Sequence, residues 1–268
     1  MYEFRDINEH LNEAWLPSVA MQFNGILLEE EVRGYQTLNV EGRETISYKL
    51  EDSGDISGRD GVISFGKTLP PRVLRIQYLL KADSNEELQH SFRLLNWKLQ
   101  TNGEVPIRFR DDLEIMYYGQ LVGMSDIPPE TNSVVGTFEI HCSDPFKYEK
   151  KTSQIGNPLT IYLPTPYEVK PELIEVTVKS TVAKLIIANI TTGRRIVLNG
   201  SYISGDIIRI RLNEAGQGKK ITKNNQNIMK ELDYLATDFN TFLIKKGDIV
   251  QVTPNTATLT VQARGRWK

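Results

Sequence analysis

Through the first 150 residues, apolar positions alternate with polar ones in short runs, interrupted by one stretch with a helical period. VAMQFNGILL (19–28) and TISYKL (45–50) read as strands parted by polar, glycine-bearing turns. EDSGDISGRDG (51–61), with three glycines and four acids, reads as an exposed, mobile loop leading into VISFGKTLPPRVLRIQYLL. Pro70 and Pro71 suit the start or edge of a strand, because proline cannot donate to a ladder, and 73–80 follows as a long apolar strand. Residues 84–100 predict a helix: Ser84 as N-cap and Glu87 form a capping box, and Gly103 stands just past the end, where a left-handed residue costs little. Leu88, Phe92, Leu95 and Leu99 fall in a stripe of about 60°, the face that meets a sheet. Trp97 lies opposite it, to be covered by a loop or presented to a partner. Residues 105–122 predict a hairpin turning at Asp111-Asp112, with Ile107 and Phe109 on one face and Arg108 and Arg110 on the other. The run 134–142 puts Phe138, Ile140 and Cys142 on one face and Thr137, Glu139 and His141 on the other, so Cys142 reads as core and His141 as surface. Asp144-Pro145 then stops the ladder.

Beyond Lys150 the texture becomes short strands with regular punctuation. Ile174, Val176 and Val178 alternate with polar neighbours; LIIANI is followed by TTG and RIVL by Asn199-Gly200, while Gly205-Asp206 precedes IIRIRL and Lys246-Gly247 precedes DIVQV. Ile208, Ile210 and Leu212 face away from Arg209 and Arg211, and Leu259, Val261 and Ala263 away from Thr258, Thr260 and Gln262. This spacing implies an antiparallel sandwich, broken only by 225–239, where a short helical turn is expected. The fold expected is mainly β and two-domain: an N-terminal β-sandwich with one α-helix, then a C-terminal antiparallel β-sandwich.

With 268 residues, 40% of them hydrophobic, the chain can bury two modest cores. No apolar run approaches the roughly 18 residues of a membrane span, and MYEFRDINEH lacks the layout of a secretory signal, so synthesis in a cytoplasm without a membrane partner is expected. One cysteine makes no internal disulfide, and with three scattered histidines it supplies no four-ligand zinc site. Charge is uneven: residues 1–148 hold 14 Lys and Arg against 24 Asp and Glu, a net −10, while 149–268 hold 18 against 10, a net +8. The basic residues of the second half are dispersed and lack an aromatic-studded stripe, which favours solvated faces over a nucleic-acid surface.

No GxxxxGKS, GxGxxG, HExxH or GxSxG motif occurs. His10, His90 and His141 have no second histidine at ligand spacing and read as structural or surface residues. Asp111 with Asp112, and Asp206 with Asp248, sit at turns, which select aspartate without any catalysis. No catalytic, cofactor-binding or metal-binding residue is nominated. Tyr202, Tyr234 and Trp267 are candidates for stacking on a sugar, although packing in a core or at an interface is the ordinary role of each.

In order along the chain, SGRDGVISFGKTLPPRVLRIQYLL, a capped helix ending LLNWKL, VPIRFRDDLEIMYYGQL and GTFEIHCSDPFKY resemble the N-terminal domain of the siphophage distal tail protein family. The second half, with a turn of the I-x-N-x-TG kind at IANITTG, its GD turn before a strand, a late DF and the ending RGRW, resembles that family's galectin-like C-terminal domain. The resemblance implies a ring-forming domain at 1–148, a linker at 149–164 and a galectin-like β-sandwich at 165–268. It further implies a homohexameric ring at the virion tail tip, between the tail-tube protein and the tail-tip spike, whose channel passes DNA and the tape measure. The segment EFRDINEHLNEAWLPSV is longer and more acidic than the family pattern, and no large insertion marks the second domain. The second reading is a carbohydrate-binding adhesion protein acting on the host wall through the C-terminal sandwich; a wall hydrolase is a weaker third. Under the ring reading, the −10 half suits an anionic channel wall that does not hold a sliding phosphate backbone; an acidic outer surface is the plainer alternative. A ring interface joins unlike patches, and the loop 51–66 is expected to reach across it, with Arg59, Lys67 and Arg72 as polar contacts and Trp97 as an apolar one.

Overall fold

The computed structural model describes residues 16–44, 47–55, 57–58, 60–128, 130–212 and 218–268. Two compact units divide the chain, one ending at Lys147 and including Lys268, the other Tyr148–Trp267.

The first unit is built from β1 (Met21–Phe23), β2 (Ile26–Leu27), a single turn α1 (Leu28–Glu31), β3 (Tyr35–Glu41), β4 (Lys49–Asp52), β5 (Ser64–Thr68), β6 (Arg72–Lys81), α2 (Asn85–Leu99), β7 (Val105–Phe109), β8 (Asp112–Met124) and β9 (Ser133–Cys142). β6 is central: it pairs antiparallel with β3 and with β9, in register from Arg72 opposite Cys142 to Lys81 opposite Ser133. β8 pairs with β7 up to Gly119 and with β9 from Gln120 onward, where the register shifts between Leu121 and Gly123, so it carries the chain from one ladder to the other. The two ladders and α2 share a core of Phe23, Ile76, Tyr78, Leu95, Ile107, Phe109 and Phe138, among others. Each such fully buried side chain contributes about 1.5–3 kcal/mol.

Local chemistry explains the elements. Ser84 Oγ accepts from Glu87 N at 3.2 Å, and Glu87 Oε2 accepts from Asp83 N at 3.1 Å, so the box closes one residue upstream of its usual partner. The helix ends not at a left-handed Gly103 but at Gln100 in extended conformation, whose N–H bonds back to Asn96 O at 3.2 Å. Residues 19–28 are not one strand: Asn24 and Gly25 both take positive φ, at 50° and 85°, which folds the run into a tight hairpin of β1 and β2.

In the second unit, β10 (Lys147–Ile155), β11 (Leu159–Thr160), β12 (Leu173–Thr177), β13 (Val182–Asn189), β14 (Arg195–Tyr202), β15 (Ile207–Arg211), β16 (Lys220–Lys223), β17 (Gln226–Asn227), β18 (Ile249–Thr253) and β19 (Thr258–Trp267) form two antiparallel sheets, ordered β17-β16-β15-β12-β19-β10 and β11-β18-β13-β14. Ile174, Val176, Ile208, Ile210, Leu259 and Val261 from one sheet meet Leu185, Ile187, Leu198, Val250 and Val252 from the other. The alternation of β12, β15 and β19 is the alternation of inner and outer faces.

Residues 149–164, expected as a linker, are integral to this sandwich. They carry most of β10 and all of β11, and Leu159, Ile161 and Leu163 are core residues. Asn157 locks the segment in place: its Nδ2 donates to Val252 O and Ala257 O, and its Oδ1 accepts from Val252 N. Residues 225–239 hold one 3-10 turn, Met229–Glu231. Among the described residues, no helix is long and apolar enough to cross a membrane.

Candidate assembly surface

The loop expected at 51–66 begins and ends in a two-stranded ribbon. β4 and β5 pair only with each other, Lys49 opposite Thr68, Leu50 opposite Lys67 and Glu51 opposite Gly66. Ser53 N donates to Ile63 O and Ile63 N to Ser53 Oγ, which extends the ribbon by one more rung. Every residue of both strands is exposed, with Leu50 at 65% and Phe65 at 69%, and Val62 and Ile63 are exposed beside them. A lone ribbon is at best marginal in water, and four large apolar side chains along one are the kind of surface that a partner covers.

The four residues expected at a subunit interface fare differently. Arg59 lies outside the described residues. Lys67 stands on the ribbon, exposed, with Nζ 4.4 Å from the centroid of the Tyr48 ring. Trp97 is 66% exposed at the end of α2, so no loop covers it among the described residues; Lys98 Nζ is 5.2 Å from its ring centroid, and Leu99, Thr101 and Leu121 line a shallow hollow beside it.

Arg72 is a correction. It is 8% exposed and serves its own unit: Nε donates to Pro145 O at 2.9 Å, and Nη1 to Gly42 O at 2.6 Å and Arg43 O at 2.8 Å. Arg72 shares the inward parity of Leu74, Ile76 and Tyr78 on β6, which the sequence displays. It therefore ties the 42–43 turn to the segment that closes the unit.

That closing segment, HCSDPFK, is held from several sides. Ser143 N donates to Glu104 Oε1 at 2.6 Å, Phe146 N to Asp144 Oδ1 at 3.0 Å, and Lys147 Nζ pairs with Glu44 at 2.6 Å. Sequence reasoning missed Glu104 and Glu44, since neither adjoins the segment in the chain. Cys142 is buried, and burial first, then the nearby Glu104 charge, pushes its thiol up to about 12. Its reactivity should follow: native protein at pH 8 is expected to resist a thiol-specific chromogenic reagent, which titrates one thiol in denaturant; rapid native labelling would contradict this packing.

Three of the four carboxylates weighed for catalysis, Asp111, Asp206 and Asp248, are committed elsewhere. Asp111 pairs with Arg43 at 2.7 Å; Asp206 accepts from Ile203 N at 3.0 Å, and Asp248 from Asn189 Nδ2 at 2.7 Å and Lys245 N at 3.1 Å. The backbone bond from Ile203, followed by that from Asn224, holds the Asp206 carboxyl below its usual range against the opposing effect of burial. Among the described residues, no group of three or more His, Cys, Asp or Glu side chains could hold a metal ion. Of the three aromatic candidates in the second unit, Tyr202 is buried and donates to Glu231 at 2.7 Å, and Trp267 donates to Glu149 at 2.6 Å and meets Tyr167 edge-on. Tyr234 is exposed.

Comparison with known proteins gives these features a setting. Residues 29–157 match the phage tail protein RIFT-related domain, and residues 166–267 match the siphovirus-type tail component, C-terminal domain. The chain belongs to the siphophage distal tail protein family. It is 27% identical over 212 residues to the distal tail protein of Bacillus phage SPP1, covering 76% of this chain and 78% of that protein. The crystal structure of SPP1 Dit, described as a paradigm of the hub adsorption apparatus in phages infecting Gram-positive bacteria, superposes with a TM-score of 0.77 at 17% identity, covering 93% of this chain and 99% of the other; the likeness is one of fold. Distal tail proteins are structural parts of the phage tail. In this member of the family, the apolar ribbon and Trp97 are exposed.

Proposed function

We propose that the chain closes into a hexameric ring at the tail tip, a hub between the tail-tube protein and the tail-tip spike, with DNA and the tape measure passing through its bore. The first unit, through Lys147, forms the ring, and the second, Tyr148–Trp267, is the galectin-like sandwich. The observation that carries this reading is the β4–β5 ribbon, whose strand residues are all exposed and which carries Leu50 and Phe65. A ring interface joins unlike patches of successive copies, so each ribbon finds the same groove on the next copy and closure satisfies all of them. Lys67 supplies a polar contact there, and Trp97 has the size and exposure of an interface anchor. The net −10 of residues 1–148 suits an anionic bore, which repels the phosphate backbone and offers it no resting place.

Deletion of residues 52–60 tests the clasp. Light scattering and negative-stain imaging, alone and with the tail-tube protein added, should show six-fold rings for the intact chain and their loss for the shortened one, with the thermal unfolding of the unit unchanged. An oligomer indifferent to the deletion overturns the clasp, and a ring bore lined mainly by lysine and arginine overturns the anionic channel.

A further inference from the structure

The second unit presents Tyr234 on a turn that is fastened unusually well. Residues 232–238 run beside β14: Asp233 N donates to Val197 O at 3.0 Å, Val197 N to Thr237 Oγ1 at 2.9 Å, Asp238 N to Arg195 O at 2.7 Å, and Arg195 N to Asp238 Oδ2 at 3.0 Å. Asp233 closes the tip, its Oδ1 accepting from Ala236 N at 3.2 Å and its Oδ2 from Asn199 Nδ2 at 3.2 Å. These bonds hold the Asp233 carboxyl below its usual range, with the Ala236 bond the larger cause. The backbone is rigid and the tip is bare: Tyr234 is 68% exposed and Leu235 wholly so.

Next to Tyr234 opens a cleft of about 340 Å³, walled by Lys219, Asp238, Phe239 and Asn240. Phe239 packs on the core, so its ring floors the cleft from a fixed position. Lys219 Nζ donates to Asn240 Oδ1 at 2.5 Å, which orients the ammonium and the amide together. The Lys219 ammonium is also felt beyond the cleft: partial burial, and then the positive charge of Lys219, hold the Lys170 ammonium below its usual pKa. An anion bound at Lys219 relieves that repulsion.

An exposed aromatic ring, an amide, a carboxylate and an ammonium around a shallow cleft match one ligand chemistry closely. The C–H face of a sugar ring stacks on a tyrosine, its hydroxyls take amide and carboxylate partners, and an acidic substituent takes the ammonium. The bracing of the turn removes the ordering cost that a loop would otherwise charge against binding. We propose that this cleft binds a saccharide bearing a carboxylate or phosphate group, with its ring on Tyr234, its hydroxyls on Asn240 and Asp238, and its anionic group toward Lys219. The site is independent of ring closure, since every residue in it belongs to the second unit.

The test uses the full chain in isothermal titration calorimetry against oligogalacturonate, mannose 6-phosphate, neutral maltohexaose and tripolyphosphate, with light scattering on the same samples. Binding of oligogalacturonate or mannose 6-phosphate is expected, and which of the two binds tells carboxylate from phosphate. Tyr234→Ala and Lys219→Ala should each weaken binding about tenfold. Tyr162→Ala, which removes another exposed tyrosine of the unit outside the cleft, should leave it unchanged. The proposal fails if neither acidic sugar binds, if Tyr234→Ala and Tyr162→Ala behave alike, if maltohexaose binds equally well, or if tripolyphosphate binds as tightly with no dependence on Tyr234. Thermal melts of each variant separate lost binding from lost folding, and the scattering record keeps a failed ring distinct from a failed site.

Discussion

Replacing Arg72 with alanine should destabilise the first unit by about 3 kcal/mol, because it strips charge-assisted donors from three carbonyl groups in a setting that water reaches poorly. The carbonyls of Gly42, Arg43 and Pro145 all depend on one guanidinium. Arg72 also stands 6.0 Å from the centroid of the buried Tyr117 ring, so its removal leaves a gap beside that ring. Arg72→Lys should recover less than half of the loss, since one ammonium cannot copy the planar fork that reaches two segments at once. Urea titration followed by tryptophan fluorescence measures both. A loss below about 1 kcal/mol for the alanine variant would mean that water replaces the guanidinium, and that the closing segment is held by its other contacts.

The largest single-residue effect is expected at Gly34. Its φ of +77° is a conformation that side chains resist, and a Cβ built there falls 1.8 Å from the carbonyl oxygen of Lys81. That oxygen belongs to the end of β6, whose Lys81 N–H in turn donates to Gly34 O at 3.0 Å, so neither backbone can give way without parting β3 from β6. Gly34→Ala should therefore cost at least about 3 kcal/mol, or lower the melting temperature by about 10 °C. Gly25→Ala is the matched control: φ is +85°, yet nothing lies within 4 Å of the added Cβ, so only the conformational cost of about 1 kcal/mol applies. Equal losses at the two positions would show that the strand ends adjust freely and that the close approach is not a constraint.

Much of the fold was legible in the chain. Strict alternation marked β9, β12, β15 and β19 because each has one face on a core and one on solvent, and Ser84 with Glu87 marked the start of α2 because helix caps are local chemistry. Of the ribbon, only Lys49 and Leu50, at the end of the run 45–50, were legible as strand. Its pairing rests on backbone groups, and with no core beneath it there is no alternation of inside and outside to read. Residues 149–164 misled for a related reason: the charged run KYEKK resembles a solvated linker, but β10 is a strand with no fully buried position whose backbone still pairs. Arg72 carried a readable sign in its parity with Leu74 and Ile76, which the usual exposure of arginine outweighed. The sequence named Tyr202, Tyr234 and Trp267 together, and could not separate them, because whether a tyrosine turns in or out at a loop depends on bonds to distant residues such as Val197 and Arg195.

Residues 232–238 have one more effect besides presenting Tyr234. β14 would otherwise end its sheet with a row of open backbone groups, and that row is a template on which another molecule can add a strand. By occupying the N–H of Arg195 and Val197 with the side chains of Asp238 and Thr237, the strap caps that template with groups that cannot propagate a ladder. Two copies that meet there thus meet along a margin that ends growth, which protects a protein whose regular structure is mostly strand from joining its neighbours into fibres.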